Sequence, residues 1–205
     1  MITRDLRAAA PRDIYRILTS LVIPRPIAWI STLNADGTVN LAPFSAFMGI
    51  FNPPMVAINF GHRKGGTLKD TQHNLRDRGE AVVHLPDAGL LEAMHACGED
   101  LPAGESELAR LGLATLPAQL VAPPILAQAP VALECRLNRE VILSPDSTLV
   151  LLDVLMAHAR DSIWNELYDC ADASRWEPMA RLASVAGPNY AGLGERLTLG
   201  PPKLP

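Results

Sequence analysis

The sequence has little with which to build a disulfide framework, a membrane span or a metal site. It holds three cysteines, Cys97, Cys135 and Cys170, far apart and with no C-x-x-C pair. An odd, scattered set of this kind reads as reduced thiols in a cytoplasmic protein. The five histidines (His62, His73, His84, His95, His158) include no pair at ligand spacing, which argues against zinc. No stretch reaches the ~18 apolar residues of a membrane helix. Met1 to Asp13 lacks the apolar core of a secretory signal. There is no G-x-S-x-G, no H-E-x-x-H, no Walker loop and no G-x-G-x-x-G after a strand. Net charge is only -4, without the basic excess that a coat on nucleic acid needs. These absences predict a cytoplasmic chain with no membrane and no nucleic-acid partner.

What is present is a core and many turns. Apolar residues make up 48% of the 205, too many for a disordered chain. The length suits one domain spanning 1–205. Of 18 prolines, five lie in Pro24–Pro54 and four in Leu116–Pro130, which reads as a surface-hugging loop. A short helix is expected over Asp13–Leu21. Strands are expected at Ile27–Leu33, from Thr38 to Leu41, at Met55–Phe60 and at Glu80–Leu85. Asn34-Ala35-Asp36-Gly37 reads as a hairpin turn. Asp70–Arg78 reads as a helix with Asp70 as N-cap and Gly79 just past its end. Asp87–Ala96 and Glu105–Leu111 are further helical segments. Val131–Leu143 alternates with period two, and after the turn Ser144-Pro145-Asp146-Ser147 the chain returns as a central strand, Thr148–His158. Hairpin-joined strands with few helices predict a mainly β protein, an antiparallel barrel with peripheral helices.

Three places have chemistry to offer. Gly61 to Thr71 joins a strand to a helix start and concentrates Arg63, Lys64 and Lys69 around Gly61, Gly65 and Gly66. Glycines allow close backbone approach, and a helix N-terminus favours an anion. The loop is either a phosphate cradle or a solvated basic turn. Asn40 to Phe47 presents Ser45 between two aromatics, which suits either a flat heteroaromatic ring or an ordinary core corner. Ser31 and Thr32 end an apolar strand and bond either a ligand or nearby backbone. His158 ends the central strand. It is the one histidine placed to meet a substrate at the barrel mouth; the alternative is a satisfied strand-end histidine. Trp29, Trp164 and Trp176 are shield, core or interface residues.

The run from Tyr15 through Pro24-Arg25-Pro26-Ile27-Ala28-Trp29-Ile30-Ser31-Thr32 resembles the opening of the flavin reductase-like, FMN-binding split-barrel family. Asp36-Gly37, Asn40 to Ser45 and Asn52-Pro53-Pro54 continue the likeness. Gly65-Gly66, Lys69-Asp70-Thr71, Asn74, Gly79-Glu80, Met179 to Leu182, Gly187 and Tyr190 follow in the same order, to about Leu199. The resemblance implies a six-stranded Greek-key split β-barrel, a homodimer with FMN near the interface, and hydride transfer from NADH or NADPH to flavin. It further allows a flavin-dependent monooxygenase as partner. By position it marks Ser31, Ser45, Ala46, Phe47, Asn59, Gly61, His62, Arg63, Gly66, Lys69, Asp70, Thr71 and Tyr190 as cofactor contacts. The Ser45 loop would take the isoalloxazine edge, and Gly61 to Thr71 the ribityl phosphate. A flavin-holding electron-transfer protein, or a relative binding haem or a pyridoxal phosphate-like compound, are the competing readings.

Overall fold

The computed structural model describes residues 1–63, 65–98, 107–183, 188–195 and 197. Lys64, the first residues of the Glu105–Leu111 segment, Gly187 and the end of the resemblance near Leu199 lie outside the described residues.

Seven strands carry the fold: β1 (Ala28–Leu33), β2 (Val39–Phe44), β3 (Phe47–Phe51), β4 (Pro54–Gly61), β5 (Glu80–Leu85), β6 (Val131–Ser144) and β7 (Ser147–Ala159). They form one antiparallel sheet in the order β2-β1-β5-β6-β7-β4-β3. The two edge strands, β2 and β3, are joined by only Ser45 and Ala46. The sheet therefore curls round until its edges meet at that connection without pairing. This is a split β-barrel. It has seven strands rather than the six expected, and β3 is the one the sequence did not announce.

Alternation puts one face of every strand inside. Ala28, Ile30, Phe44, Val56, Ile58, Phe60, Val83, Cys135, Val150 and Leu152 form the barrel core, with Phe47 packed against it. Helix α1 (Pro11–Leu21) opens on proline, whose missing N–H costs nothing at a helix start, and buries none of its residues. Helix α2 (Asp70–Arg78) plugs one end of the barrel with Leu75, which is fully buried in the core. Its acidic first turn and its Arg76 and Arg78 in the last turn complement the dipole. Gly79 ends it with φ 72, the left-handed conformation glycine adopts without strain. Arg78 donates to the carbonyls of Asn34 (2.7 Å) and Ala35 (3.0 Å), tying α2 to the β1–β2 turn. The N-cap is Lys69, not Asp70. Asp70 is the first helical residue, and its carboxylate is turned to Arg63.

The opposite face of β1 and β2 is covered by helices α3 (Leu91–Ala96) and α4 (Glu107–Leu111). Trp29, Leu41, Leu90 and Met94 pack there as a second core. A third, smaller core lies under the proline-rich loop, where Val121 and Ile125 meet Val82 and Ala132. That loop is not wholly irregular: Thr115–Leu116 pairs with Ile125–Leu126.

Candidate functional site

Five pieces of chain meet at one outer corner of the barrel. They are the Ser45-Ala46 connection, the end of β4, the loop from Gly61 to Lys69, the start of α2, and the β6–β7 turn. The Asn59 N–H donates to the Ala46 carbonyl (2.8 Å), which seats the connection on β4. Ser147 faces Gly61 across the β7–β4 ladder and donates its hydroxyl to Asn59 Oδ1 (2.8 Å). The His62 N–H donates to the Asp146 carbonyl (2.9 Å). The Pro145 carbonyl, 2.9 Å from His62 Nδ1, only accepts, so Nδ1 donates there. Nε2 meets the buried Thr148 hydroxyl at 3.1 Å. Both ring nitrogens of His62 and its backbone N–H are thus spent on holding the loop to the hairpin.

The same loop closes on itself. Arg63 N–H donates to the Thr67 carbonyl (2.8 Å), and Gly66 N–H to the Arg63 carbonyl (3.1 Å). Gly65 and Gly66 have φ of 83 and 78, which side-chain-bearing residues rarely adopt. The Arg63 guanidinium grips Asp70 with both nitrogens, at 3.1 and 2.8 Å. That grip holds the Asp70 carboxyl below its usual range against the opposing effect of burial. The Lys69 ammonium sits over the Phe44 ring, 5.4 Å from its centroid, and the Phe44 and Phe60 rings meet at a tilt with centroids 4.5 Å apart. Thr71 turns inward, where its hydroxyl accepts from Asn40 (2.9 Å) and is all but buried, leaving its N–H toward the helix start. By contrast, the Ser45 hydroxyl and the Asn59 amide nitrogen make no hydrogen bond among the described residues.

Ser45, Ala46, Phe47, Asn59, Gly61, His62, Arg63, Gly66, Lys69, Asp70 and Thr71 are therefore brought together. Three expected residues are not. Ser31 is fully buried and donates to the Pro124 carbonyl (2.8 Å). Tyr190 packs against the second core, its hydroxyl held by Arg181 and by His95 Nδ1. His158 lies nine positions along β7 from Leu149, the partner of Asn59. That is roughly 30 Å of strand. His158 instead donates from Nε2 to Glu134 Oε1 (2.7 Å).

Glu134 and Ser147 are the side chains that sequence reasoning missed. Glu134 falls on the polar side of the β6 alternation, yet it is fully buried and accepts from the N–H groups of Gln119 (2.9 Å) and Leu120 (2.6 Å). Burial pushes its carboxyl up; these two N–H groups and His158 outweigh burial and bring it below the usual range. Nothing local in the sequence says that the proline-rich loop folds over this position. Ser147 was visible only as a turn residue. A cleft of about 600 Å³ opens at the far end of β7, lined by Ala157, Ala159 and Trp164 among others, and no expected cofactor contact lines it. Among the described residues there is no cluster able to hold a metal ion, and no helix long and apolar enough to cross a membrane.

A split barrel with a glycine-bearing, cationic corner beside its open seam defines a class of β-barrel protein. The chain belongs to the flavin reductase-like family: residues 20–176 match the flavin reductase like domain. It is 34% identical to the uncharacterised protein YwrF of Bacillus subtilis, over 92% of this chain and 93% of that one. It is similar to the solved structure of nitrilotriacetate monooxygenase component B from Bacillus cereus. The two are 30% identical with a TM-score of 0.90, covering 97% of this chain and 98% of that one. It is equally similar to the 2-nitrobenzoate 2-nitroreductase NbaA of Pseudomonas fluorescens, at 30% identity and TM-score 0.89, covering 100% and 98%.

Proposed function

We propose that the chain is an FMN-binding NAD(P)H:flavin oxidoreductase, a single cytoplasmic flavin reductase-like unit acting as a homodimer. The observation that carries this reading is the corner itself. It offers hydrogen-bonding groups with no partner among the described residues (the Ser45 hydroxyl, the Asn59 amide nitrogen) beside a cationic loop leading into a helix start. That donor set fits a flat ring with a polar edge and a phosphate tail. The first-turn N–H groups of α2, with Lys69, hold the phosphate. Gly61, Gly65 and Gly66 let the backbone approach it closely. Ser45 and backbone N–H groups of its connection bond the ring's polar edge, while Ala46 and Phe47 keep water from one side. Bound flavin supplies the two-electron chemistry, accepting hydride from NADH or NADPH. What the chain contributes is orientation and hydrogen-bond donors where negative charge gathers on reduction. The exposed apolar side of α1, with Tyr15, Leu18 and Leu21, and Val22 just after it, supports a dimer. Similarity to a monooxygenase component supports delivery of reduced flavin to a partner oxygenase.

An absorption spectrum of the purified chain with added FMN, followed by stopped-flow mixing with NADH and NADPH, tests the proposal. Flavin bands that bleach within seconds are expected. Absence of bands and of uptake sinks the reading. Uptake without bleaching makes the chain an electron-transfer module fed by another protein. Lys69→Ala is expected to weaken FMN binding by about 1.5–3 kcal/mol, the range for a hydrogen bond to a charged group. An unchanged Kd in a fluorescence titration removes Lys69 from the site.

A further inference from the structure

The corner contains a hydroxyl that would touch no ligand yet holds a neighbour that would. A primary amide offers either an acceptor or two donors, depending on which way it is turned. The Ser147 hydroxyl donates to Asn59 Oδ1 at 2.8 Å, which engages the amide oxygen and leaves the NH2 group turned away from Ser147. Both residues are held by backbone pairing: Ser147 against Gly61, and Asn59 against Leu149 and the Ala46 carbonyl. With its oxygen engaged, Asn59 has its NH2 group left over, and that nitrogen has no partner among the described residues. The flavin ring is mostly an acceptor along its polar edge, and its carbonyl oxygens gain negative charge on reduction. An amide held by its oxygen and donating toward those carbonyls therefore favours the reduced form; an amide without that support loses a bond that strengthens its NH2 group as a donor.

We infer that Ser147 is a positioning residue that holds the Asn59 amide by its oxygen, so that its NH2 group donates toward the ring of the bound flavin, and so sets the balance between the oxidised and reduced forms. This rests on the reading of the corner as the flavin site. Ser147 acts through Asn59, so its effect falls on the reduced form more than on binding as such.

The test compares wild type, Ser147→Ala and Ser147→Thr, each loaded with FMN. Titration gives the Kd of oxidised FMN, and equilibration with a reference dye gives the midpoint potential of the bound flavin. In Ser147→Ala, the Kd of oxidised FMN is expected to stay within threefold of wild type. The ratio of reduced to oxidised Kd should rise about tenfold, as for loss of one hydrogen bond. For a two-electron couple that is a shift of about 30 mV to more negative potential. Ser147→Thr keeps the hydroxyl and should return the ratio to within threefold of wild type. A ratio unmoved in Ser147→Ala, or moved as far in Ser147→Thr, overturns the role of Ser147. Failure of wild type to take up FMN overturns the reading of the corner instead. Thermal unfolding of each variant separates a loss of fold from a change at the ring. Asn59→Leu supplies the cycle: if the two residues act as one unit, Ser147→Ala should move the ratio no further once Asn59→Leu is in place.

Discussion

As the pH falls from 7 to about 4, the folded chain is expected to lose about 3 kcal/mol of stability through one side chain, His84. Its ring is wholly buried. Nδ1 donates to the Trp29 carbonyl (2.9 Å), and Nε2 accepts from the Leu126 N–H (2.9 Å). Those two bonds define the neutral tautomer. A second ring proton would face the Leu126 N–H with nothing to accept it. Burial pushes the His84 pKa down to about 4, only partly opposed by the bond to Trp29. The unfolded chain takes up that proton near pH 6.5. Stability from this group is therefore fully present above pH 6.5 and is lost as the pH falls through about 4. Glu134 acts in the same direction lower down. Its carboxyl is held below the usual range, so its contribution is lost as the pH falls through the glutamate range and beyond. Urea unfolding at half-unit pH steps reads the combined slope, and imidazole resonances followed by NMR isolate His84. A His84 resonance titrating near pH 6.5, with stability flat between pH 6.5 and 5, would defeat the prediction.

His84 also shows what kind of information the sequence holds. The strand Glu80–Leu85 was legible to the residue, and so was the end of α2, because Gly79 closes a helix and opens an apolar run within one step. The β6–β7 hairpin was legible from period-two alternation broken by Ser-Pro-Asp-Ser. Phe47–Phe51 was not. Phe-Met-Gly-Ile-Phe has no alternation, and it is a strand only because β4 lies beside it. The same division runs through the corner. The glycines, the charges and the helix start of Gly61–Thr71 are local features, and the sequence displays them. Which residues they meet is a matter of strand pairing. Nothing near Asn59 in sequence announces that Ser147, 88 positions on, will bond it. Asp70 belongs to the same lesson at a smaller scale. An aspartate before a helix reads as a cap, but Arg63, seven residues back, offers its carboxylate two charge-assisted bonds, and the helix starts one residue earlier than a cap would allow. Tyr190 and His158 carry the types of side chain a cofactor site wants, and topology sends both elsewhere.

Phe60→Ala is expected to have the other large effect, because it joins the barrel core to the proposed phosphate loop. Phe60 is fully buried at the seam end of β4, and its ring lies 4.5 Å from that of Phe44. Removing it leaves a ring-sized cavity between β2 and β4, at a cost of about 3–5 kcal/mol. The surrounding strands are held by ladder hydrogen bonds and close such a space poorly, whereas the Phe44 ring can tilt into it. Lys69 then loses the ring face under its ammonium, a contact worth about 0.5–1 kcal/mol at a partly exposed site. Two readouts follow from this chain of contacts. The denaturant midpoint falls steeply in Phe60→Ala. In Phe60→Leu, which fills most of the space and keeps the fold, the Kd for FMN rises roughly two- to fivefold, the equivalent of losing that cation–ring contact. Combining Phe60→Leu with Lys69→Ala separates the two causes. If Phe60 acts on the ligand through Lys69, the double variant binds FMN no more weakly than Lys69→Ala alone. Additive losses would show instead that Phe60 reaches the ligand by another route, through the Ser45-Ala46 connection that follows Phe44.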